Sequence, residues 1–418
     1  MSEMNLTPIF VAAKEASRTL IGYTDRQRSE VLHTLAALVE SEAAALLEAN
    51  AADLSRMDSA NPLYDRLQLT PGRLADIAAG LRHVAGLPSP VGEEVEHRTL
   101  PNGIDLRRVR VPYGAVGVIY EARPNVTFDV FALCLKSGNA CVLKGGHDAE
   151  QSNEAAIALI HKALAAHGFD AAAATLLPSS HEATAAMLEA VGYVDLCIPR
   201  GGRRLIDFVR QNAKIPVIET GAGVVSCYFD VAGDLEMARG IVANAKTRRV
   251  SVCNALDTLL VHRARLADLP SLCEPLAARN VEIHADAEAL SALRGSYPEN
   301  LLVEAVTADW DREWMALKMG IRTVADVEEA VAHIALHGSG HSESIITADD
   351  TAADIFRHRV DASCVYVNLP TSFTDGGEFG LGAEIGISTQ KLGPRGPMGL
   401  REITTTRYLL TGNGQLRP

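Results

Sequence analysis

Cys253 is the residue whose surroundings in the sequence most favour chemistry. Lys246, Arg248 and Arg249 precede it, and Asn254 follows it before a hydrophobic stretch that is typical of a strand. Nearby cations and a junction between loop and strand favour thiolate over thiol, and the thiolate is the nucleophile. The other cysteines stand mostly in apolar runs typical of buried elements: Cys134, Cys141, Cys197, Cys227, Cys273 and Cys364. Cys253 is therefore interpreted as a nucleophile, with a packed core thiol as the alternative.

Two loops that contain paired glycines are candidates for binding an anion. The first, after a predicted strand at residues 140–143, contains Lys144, Gly145, Gly146 and His147. The second, between a predicted strand at residues 194–198 and a helix, contains Pro199, Arg200, Gly201, Gly202, Arg203 and Arg204. Glycine lets backbone amides approach an anion, while arginines and a helix N-terminus favour its charge. The spacing is not G-x-G-x-x-G, and ordinary turns between strand and helix are the alternative.

Lys144 indicates which dinucleotide the first loop would take. No carboxylate stands next to it in a position to bind a ribose 2′-hydroxyl. A lysine and a histidine there suit a 2′-phosphate. The loop therefore favours NADP, and the alternative is a solvated surface lysine.

The elements that must position these residues alternate between strand and helix. Residues 115–219 contain five predicted strands separated by helices, the last strand at 216–219, and a second αβ series continues after Cys253 to about residue 367. Apolar strands that alternate with helices predict parallel sheets covered on both faces, with ligands at the carboxyl ends of the strands. Helices are expected before them, one starting with a capping box at Thr24 and Gln27 and one after Thr70 and Pro71.

Two further segments differ from this alternation. Residues 93–100 and 104–111 flank a Pro-Asn-Gly turn and predict a hairpin, which we interpret as an oligomerisation arm because exposed strand edges pair with other chains. A solvated hairpin is the alternative. Residues 375–389 are rich in glycine, which predicts tight backbone packing around a ligand.

Composition limits the function classes. The chain has 418 residues, 47% of them hydrophobic and 22% charged, which predicts two or three globular domains. A formal charge of −13 argues against nucleic acid or an anionic membrane as the main partner. The seven cysteines have no C-x-x-C spacing, so neither a disulfide framework nor a metal site is expected. No signal peptide or run of ~18 apolar residues is visible, and a cytoplasmic location is expected.

Six stretches together carry a family resemblance. They are VPYGAVGVIYEARPNV (111–126), VLKGG (142–146), PRGG (199–202), VIETGAG (217–223), SVCNALDTLLVH (251–262) and FTDGGEFGLGAEIGISTQKLGPRGPMGL (373–400). In this order they closely resemble the γ-glutamyl phosphate reductases, also called glutamate-5-semialdehyde dehydrogenases, a branch of the aldehyde dehydrogenase superfamily. The resemblance covers nearly the whole chain.

The resemblance implies both fold and activity. It implies an aldehyde dehydrogenase-like α/β fold of two doubly wound parallel-sheet domains with a small β arm. The implied reaction is NADPH-dependent reduction of L-glutamyl 5-phosphate to L-glutamate 5-semialdehyde and phosphate, the second step from glutamate to proline. A homodimer or homotetramer is expected, with glutamate 5-kinase as a candidate partner.

We expect the following domain limits. The NADP-binding domain would comprise residues 1–90 and 112–230, and the catalytic domain residues 231–368. Residues 91–111 and 399–418 would form the oligomerisation arm, and residues 369–398 a glycine-rich active-site segment.

The resemblance also assigns roles to single residues. Cys253 matches the nucleophile, Asn125 the amide of the oxyanion hole, and Glu219 the general base of the superfamily. Lys144 and Gly145 fall where the family meets the adenosine ribose. The cofactor phosphates would meet Gly201, Gly202 and Arg203, and the nicotinamide ribose would meet Glu313. No metal is expected.

This sequence departs from the family pattern at several positions. Val224, Val225 and Ser226 stand where the family often has Asn-Cys-His, and Val250 stands where it often has proline. Ser372 replaces a frequent arginine, which would remove a possible contact to substrate carboxylate or phosphate. These positions bear on substrate identity more than on the type of reaction.

Two other functions remain open at this point. In a hydrolytic aldehyde dehydrogenase, Glu219 would activate water to cleave the thioester. A non-catalytic protein that binds a partner enzyme is the second alternative, and Cys253 and Asn125 argue against it.

Overall fold

The structure is a computed structural model that describes residues 5–59, 61, 64–121, 123–221 and 223–417. The chain divides into two compact units. The first comprises Met1–Thr220, Gly380–Gly386 and Met398–Pro418, and the second Gly221–Phe379 and Ile387–Pro397. The chain thus passes into the second unit after Thr220, whereas the sequence placed a domain boundary after residue 230. Ala122 and Ala222, which belong to two of the motifs, lie outside the described residues.

The helices in the described part of the chain are α1 (Thr7–Leu20), α2 (Asp25–Ser41), α3 (Ala43–Leu54), α4 (Tyr64–Leu67), α5 (Pro71–Gly86), α6 (Asn125–Lys136), α7 (Glu150–Ala166), α8 (His181–Leu188), α9 (Arg203–Asn212), α10 (Leu235–Thr247), α11 (Leu269–Ala277), α12 (Ala287–Leu293), α13 (Val327–His337) and α14 (Asp350–Arg359). The strands are β1 (Glu94–Thr99), β2 (Asp105–Pro112), β3 (Ala115–Tyr120), β4 (Ala140–Lys144), β5 (Ala174–Leu176), β6 (Leu196–Arg200), β7 (Ser226–Phe229), β8 (Thr258–His262), β9 (Glu282–Ala285), β10 (Leu302–Glu304), β11 (Lys318–Val324), β12 (Ser342–Ile346), β13 (Cys364–Val367), β14 (Gly386–Ser388), β15 (Gly396–Met398) and β16 (Thr404–Thr411).

Local sequence explains where the early helices begin. The Thr24 side chain accepts a hydrogen bond from Gln27 N–H, and Gln27 Oε1 accepts one from Thr24 N–H, which confirms the predicted capping box of α2. At the start of α5 the Thr70 side chain accepts from Arg73 N–H, with Pro71 in the first turn. Helix α1, which was not predicted, buries Phe10 and Leu20.

The first unit contains a parallel sheet in the order β5-β4-β3-β6. Val116 and Val118 of β3 pack into a cluster with helices α2, α5, α6 and α7, while Ile119 packs into another with α1 and α8. Both faces are therefore covered, as predicted. The predicted strand at residues 216–219 is wrong, since Val217 forms only one isolated bridge, to Cys197. Proline at position 216 offers no N–H to extend the pairing.

A separate antiparallel sheet in the first unit has the order β1-β2-β16. The hairpin turn places Gly103 at a φ of +82°, which glycine tolerates. On β16, Tyr408, Leu409 and Leu410 are exposed. The predicted hairpin is confirmed, and its role in oligomerisation stays a prediction.

The second unit contains a seven-stranded sheet in the order β10-β9-β11-β8-β7-β12-β13, in which all neighbours run parallel. Leu259 and Val261 of β8 face a cluster with α10, α11 and α12, and Leu260 faces one with α13 and α14. Strand β7 was not predicted, although it lies beside β8 in the middle of the sheet. A doubly wound unit thus surrounds the strand that follows Cys253.

The glycine-rich segment packs closely within the first unit at two of its residues. A Cβ on Gly382 would lie 2.5 Å from the side chain of Leu87, and one on Gly386 would lie 2.5 Å from that of Thr220. Both glycines have positive φ. The tight backbone packing predicted for this segment is present, and its contact with a ligand stays a prediction.

Candidate active site

Cys253 lies in a turn between α10 and β8, where Ala255 N–H donates to Val252 C=O at 3.1 Å. Its side chain is partly exposed, whereas the other six cysteines are buried. Burial raises the pKa of Cys197, Cys227 and Cys273 to about 12, so these groups remain thiols at neutral pH. The prediction that Cys253 differs in setting from the other cysteines is confirmed.

Gly223 brings Glu313 to the turn that carries Cys253. A Cβ on Gly223 would lie only 1.7 Å from the carbonyl oxygen of Cys253, so any other residue here would force the two backbones apart. Gly223 N–H in turn donates to Glu313 Oε1 at 3.2 Å. The predicted nucleophile and the residue predicted to hold the nicotinamide ribose therefore share one neighbour.

Asn254, the residue after Cys253, is held by the segment around Ser372. Asn254 donates from Nδ2 to Thr374 C=O at 2.9 Å, and the Asn254 C=O accepts from Thr371 Oγ1 at 2.8 Å. Ser372 is 9% exposed, and its hydroxyl donates to Asn244 Oδ1 at 2.7 Å. Serine in place of arginine thus makes an internal hydrogen bond, and the contact to substrate that an arginine would offer is absent at this position.

The three cations before Cys253 differ in exposure. Arg248 and Arg249 are exposed, but Lys246 is 0% exposed and donates from Nζ to Leu256 C=O at 2.9 Å. Lys246 is therefore not available to an anion from solvent, because α10 directs its side chain into the core. The sequence did not indicate that Lys246 and Asp257 are both buried, since charged residues usually lie at the surface.

Lys144 lies at the carboxyl end of β4 in the first unit and is 8% exposed. Its Nζ donates to Ser179 C=O at 3.0 Å, and burial lowers its pKa. Ser179 also donates from its hydroxyl to Glu150 Oε1 at 2.5 Å, and His147 Nδ1 lies 3.4 Å from Glu150 Oε2. A carboxylate thus lies nearer to Lys144 than the sequence indicated, because the start of α7 places Glu150 beside Ser179.

The backbone at both predicted cofactor loops is tightly constrained. A Cβ on Gly145 would lie 2.3 Å from Asn153 Nδ2, and one on Gly201 would lie 2.7 Å from the carboxyl carbon of Glu121. A side chain at position 145 would displace the buried Asn153, whereas one at position 201 would have to displace the exposed Glu121 side chain. Since β4 and β6 flank β3 in one parallel sheet, the two loops lie at the same edge of that sheet, as predicted.

The N-terminus of α9 fits a cofactor phosphate. Gly202, Arg203 and Arg204 are exposed there, and the first amides of a helix have no acceptor within the helix. Gly202 N–H donates to Glu121 Oε2 at 3.2 Å, so this amide already binds a carboxylate. The amide groups and the arginines suit the anion that the sequence predicted.

Asn125 and Glu219 complete the set of residues predicted from the sequence. Asn125 begins α6, directly after β3, and its Nδ2 donates to Asp129 Oδ2 at 2.9 Å, which leaves the second N–H of the amide for another acceptor. Glu219 Oε2 lies 3.7 Å from Arg210 Nη1, and its side chain is 23% exposed. Both belong to the first unit, and Cys253 and Glu313 belong to the second.

The described residues contain neither a metal-binding group of side chains nor a helix that could cross a membrane. No three His, Cys, Asp or Glu side chains among them are grouped so as to hold a metal ion. None of the helices that they form has both the length and the apolar composition that crossing a bilayer requires.

Comparison with known proteins agrees with this geometry. Residues 2–286 match the model of the Aldehyde dehydrogenase family. Gamma-glutamyl phosphate reductase of Pelodictyon phaeoclathratiforme is 55% identical over 413 residues, 99% of each chain, and that of Bacteroides thetaiotaomicron is 52% identical over 99% of each. The crystal structure of gamma-glutamyl phosphate reductase from Thermotoga maritima superposes with a TM-score of 0.95 at 37% identity, covering 99% of this chain and 100% of the other.

The chain therefore belongs to the aldehyde dehydrogenase family and, within it, to the gamma-glutamyl phosphate reductases. The fold and the family expected from the sequence are confirmed. The aldehyde dehydrogenase family uses nicotinamide cofactors, and the glycine loops of the first unit fit such a group.

Proposed function

We propose that the enzyme reduces L-glutamyl 5-phosphate to L-glutamate 5-semialdehyde and phosphate with NADPH, the second step of proline biosynthesis from glutamate. In the reverse direction it is an NADP-dependent, phosphorylating glutamate-5-semialdehyde dehydrogenase. The observation that carries the proposal is the partly exposed Cys253, whose carbonyl packs on Gly223 while Gly223 binds Glu313. The likeness to named relatives over 99% of the chain supports the substrate.

An acyl phosphate is an activated carboxylate, so a thiolate can displace its phosphate. Cys253 Sγ attacks the acyl carbon and forms a tetrahedral intermediate whose oxyanion needs donors already in place. Asn125 supplies one N–H from its amide, and the backbone N–H at Cys253 supplies another. The C–O bond to phosphate then breaks, and a thioester remains on Cys253.

The nicotinamide cofactor supplies hydride when bound, and this chain supplies its contacts. Lys144 and Gly145 would hold the adenosine ribose, the amides and arginines at the start of α9 the phosphates, and Glu313 the nicotinamide ribose. NADPH is favoured over NADH because Lys144 and His147 suit a 2′-phosphate, although Glu150 lies beside them. Collapse of the thiohemiacetal on Cys253 releases the aldehyde and restores the thiolate.

The substrate phosphate needs cations that water can reach. Of the three cations before Cys253, Arg248 and Arg249 are exposed, so we assign the phosphate to one of these two. Lys246 is excluded from this role by its burial.

Assembly and location complete the proposal. The exposed Tyr408, Leu409 and Leu410 of β16 support self-association through the arm, as a homodimer or homotetramer. An acyl phosphate reacts with water. The chemistry is therefore consistent with a cytoplasmic enzyme that receives its substrate from glutamate 5-kinase.

The test is an assay of NADP⁺ reduction with glutamate 5-semialdehyde and a panel of other aldehydes, with and without inorganic phosphate. The proposal expects phosphate-dependent turnover that saturates with phosphate and is highest for glutamate 5-semialdehyde. Full rates without phosphate would instead identify a hydrolytic aldehyde dehydrogenase in which Glu219 activates water.

A further inference from the structure

The segment from Thr371 to Thr374, the 371–374 segment, holds Asn254 at two points. The C=O of Thr374 accepts from Asn254 Nδ2 at 2.9 Å, and Thr371 Oγ1 donates to the C=O of Asn254 at 2.8 Å. Asn254 is 5% exposed, Thr371 0% and Thr374 1%. Both the side chain and the main chain of the residue after Cys253 are therefore fixed by one buried segment.

The 371–374 segment is in turn anchored by a chain of three buried hydroxyl groups. Thr374 Oγ1 lies 2.8 Å from Tyr366 Oη and 2.6 Å from Ser342 Oγ. Ser342 Oγ lies 2.7 Å from Nδ1 of His341, and burial lowers the pKa of this histidine to about 4, so its ring is neutral at pH 7. Since Ser342 belongs to β12 and Tyr366 to the neighbouring β13, the Thr374 hydroxyl ties the segment to two strands of the seven-stranded sheet.

A change at Thr374 would be passed on to the turn at Cys253. Thr374 N–H donates to Thr371 C=O at 3.0 Å, so the two residues that hold Asn254 are bonded to each other. Removal of the Thr374 hydroxyl would leave those of Tyr366 and Ser342 without this partner in a buried place, which favours rearrangement of the segment. Asn254 would then lose its fixed position.

We propose that Thr374 is a positioning residue for the Cys253 turn, because its hydroxyl anchors the 371–374 segment to β12 and β13 while its carbonyl holds Asn254. The backbone N–H at Cys253 is a proposed oxyanion donor, and a misplacement of about 1 Å can lower the rate ~10²-fold. With 1% of its surface exposed, Thr374 contacts neither substrate nor cofactor. Its effect on turnover rests on the proposed function, whereas its effect on the order of the turn does not.

The first test is amide hydrogen exchange, which needs no substrate. Thr374→Val keeps the shape of the side chain and removes the hydroxyl, and Thr374→Ser keeps the hydroxyl. The peptide of residues 252–257 contains Ala255 N–H, which donates to Val252 C=O at 3.1 Å within the turn. Its exchange should become about tenfold faster or more in Thr374→Val, and should stay within about threefold of the parent in Thr374→Ser.

Thr347→Val is the matched control for this experiment. Thr347 is a buried threonine of the same unit, and its hydroxyl donates to Asp230 Oδ2 at 2.7 Å. Its loss should leave exchange in residues 252–257 unchanged. Equal exchange in Thr374→Val and Thr347→Val would overturn the proposal.

The second test is turnover in single and double variants. Thr374→Val should lower kcat by ~10- to 10²-fold with less than about a threefold change in KM for the aldehyde, and Thr374→Ser should restore kcat to within about threefold of the parent. In an Asn254→Ala background Thr374→Val should add less than about threefold, because the side chain that Thr374 holds is gone. Losses that multiply in full in the double variant would show that Thr374 acts by another route.

Two further variants keep the test if Thr374→Val does not fold. Tyr366→Phe and Ser342→Ala each remove one partner of the Thr374 hydroxyl, and each should make exchange in residues 252–257 about threefold faster or more. Exchange equal to that of the parent in both would contradict the proposal. A parent protein without activity on glutamate 5-semialdehyde would refute the proposed function alone, since exchange reports the order of the turn directly.

Discussion

The carboxyl edge of the four-stranded sheet and the turn at Cys253 are built in opposite ways. At the first, Gly202, Arg203 and Arg204 are exposed, and Gly202 N–H donates to the carboxylate of Glu121. At the second, two charged residues close to Cys253 in the sequence, Lys246 and Asp257, are buried.

The difference follows from what each region must do. A cofactor that enters and leaves needs donors that water can satisfy in its absence, so exposed amides and arginines suffice. A nucleophile needs one fixed geometry through a reaction, and buried hydrogen bonds in a medium of low dielectric provide it. We expect changes at the first region to alter binding and changes at the second to alter the rate of the chemical steps.

Cys253→Ala gives the largest expected effect. It should lower kcat by about 10⁴-fold or more, because no covalent intermediate can form. The dissociation constant of the cofactor, measured by calorimetry, should change by less than about threefold. Cys197→Ala, at a buried cysteine of the first unit, is the control and should reduce stability while turnover is retained. Near-normal turnover by Cys253→Ala would show that Cys253 is not the nucleophile, and the two regions could then not be compared as a binding region and a chemical region.

Asn125→Ala should lower kcat by ~10²- to 10³-fold, the usual loss when one oxyanion donor is removed. The control Asp129→Asn tests whether Asn125 acts only through its hydrogen bond to Asp129, and its kcat should fall by less than about tenfold. Steady-state kinetics distinguish an effect on kcat from an effect on KM. An effect of Asn125→Ala on KM alone would show that Asn125 binds the ground state.

Lys144→Glu should shift the preference for NADPH over NADH by about tenfold or more, or invert it, because a carboxylate would repel the 2′-phosphate. The rate of Cys253 alkylation should not change. The control Lys162→Glu lies on the surface of the same unit, where Lys162 pairs with Glu42 at 2.7 Å. A cofactor ratio equal to that of the parent would mean that other residues hold the 2′-phosphate.

Glu343→Gln gives the smallest expected effect, on stability. Glu343 is fully buried and Ser226 N–H donates to its Oε2 at 2.7 Å; burial raises its pKa well above the usual range. A carboxyl whose pKa is raised in the folded protein stabilises the folded state at low pH. This stabilisation is lost as the pH rises through the raised pKa. The free energy of unfolding of the parent should therefore fall with pH above ~4.5 by up to about 1.4 kcal/mol per pH unit more than that of Glu343→Gln.

Urea midpoints between pH 5 and pH 8 measure this difference. The exposed Glu304, at the end of β10, provides the control, and Glu304→Gln should keep the pH dependence of the parent. Parallel curves for the parent and Glu343→Gln would show that Glu343 is ionised in the folded protein.

The sequence predicted best what depends on local pattern. Alternating apolar strands and helices, the capping box at Thr24 and the hairpin turn at Gly103 are all determined by neighbouring residues, and the structure contains each of them. The sequence context also distinguished Cys253 from the other cysteines, and the structure shows that it is partly exposed while those six are buried; its role as nucleophile stays a prediction. The residues 216–219 were assigned wrongly because an apolar run next to a proline resembles an edge strand.

Contacts between distant segments were not predictable in this way. The carboxylate of Asp257 meets Val225 and Trp314, which are 32 and 57 residues away, and no local pattern links them. Lys246 resembles a surface lysine in the sequence, and Glu150 approaches Lys144 only because a loop brings Ser179 between them. The residues proposed to do the chemistry were thus more visible in the sequence than the buried contacts around them.

A single-turnover experiment tests the central claim, a thioester on Cys253 that phosphate resolves. The enzyme is mixed with glutamate 5-semialdehyde and NADP⁺ in phosphate-free buffer, and NADPH is followed by absorbance and protein mass by mass spectrometry. The account predicts a burst of about one NADPH per Cys253, an acyl adduct on the intact protein, and turnover only when phosphate is added. Continuous turnover without phosphate, or an equal burst from Cys253→Ala, would contradict it.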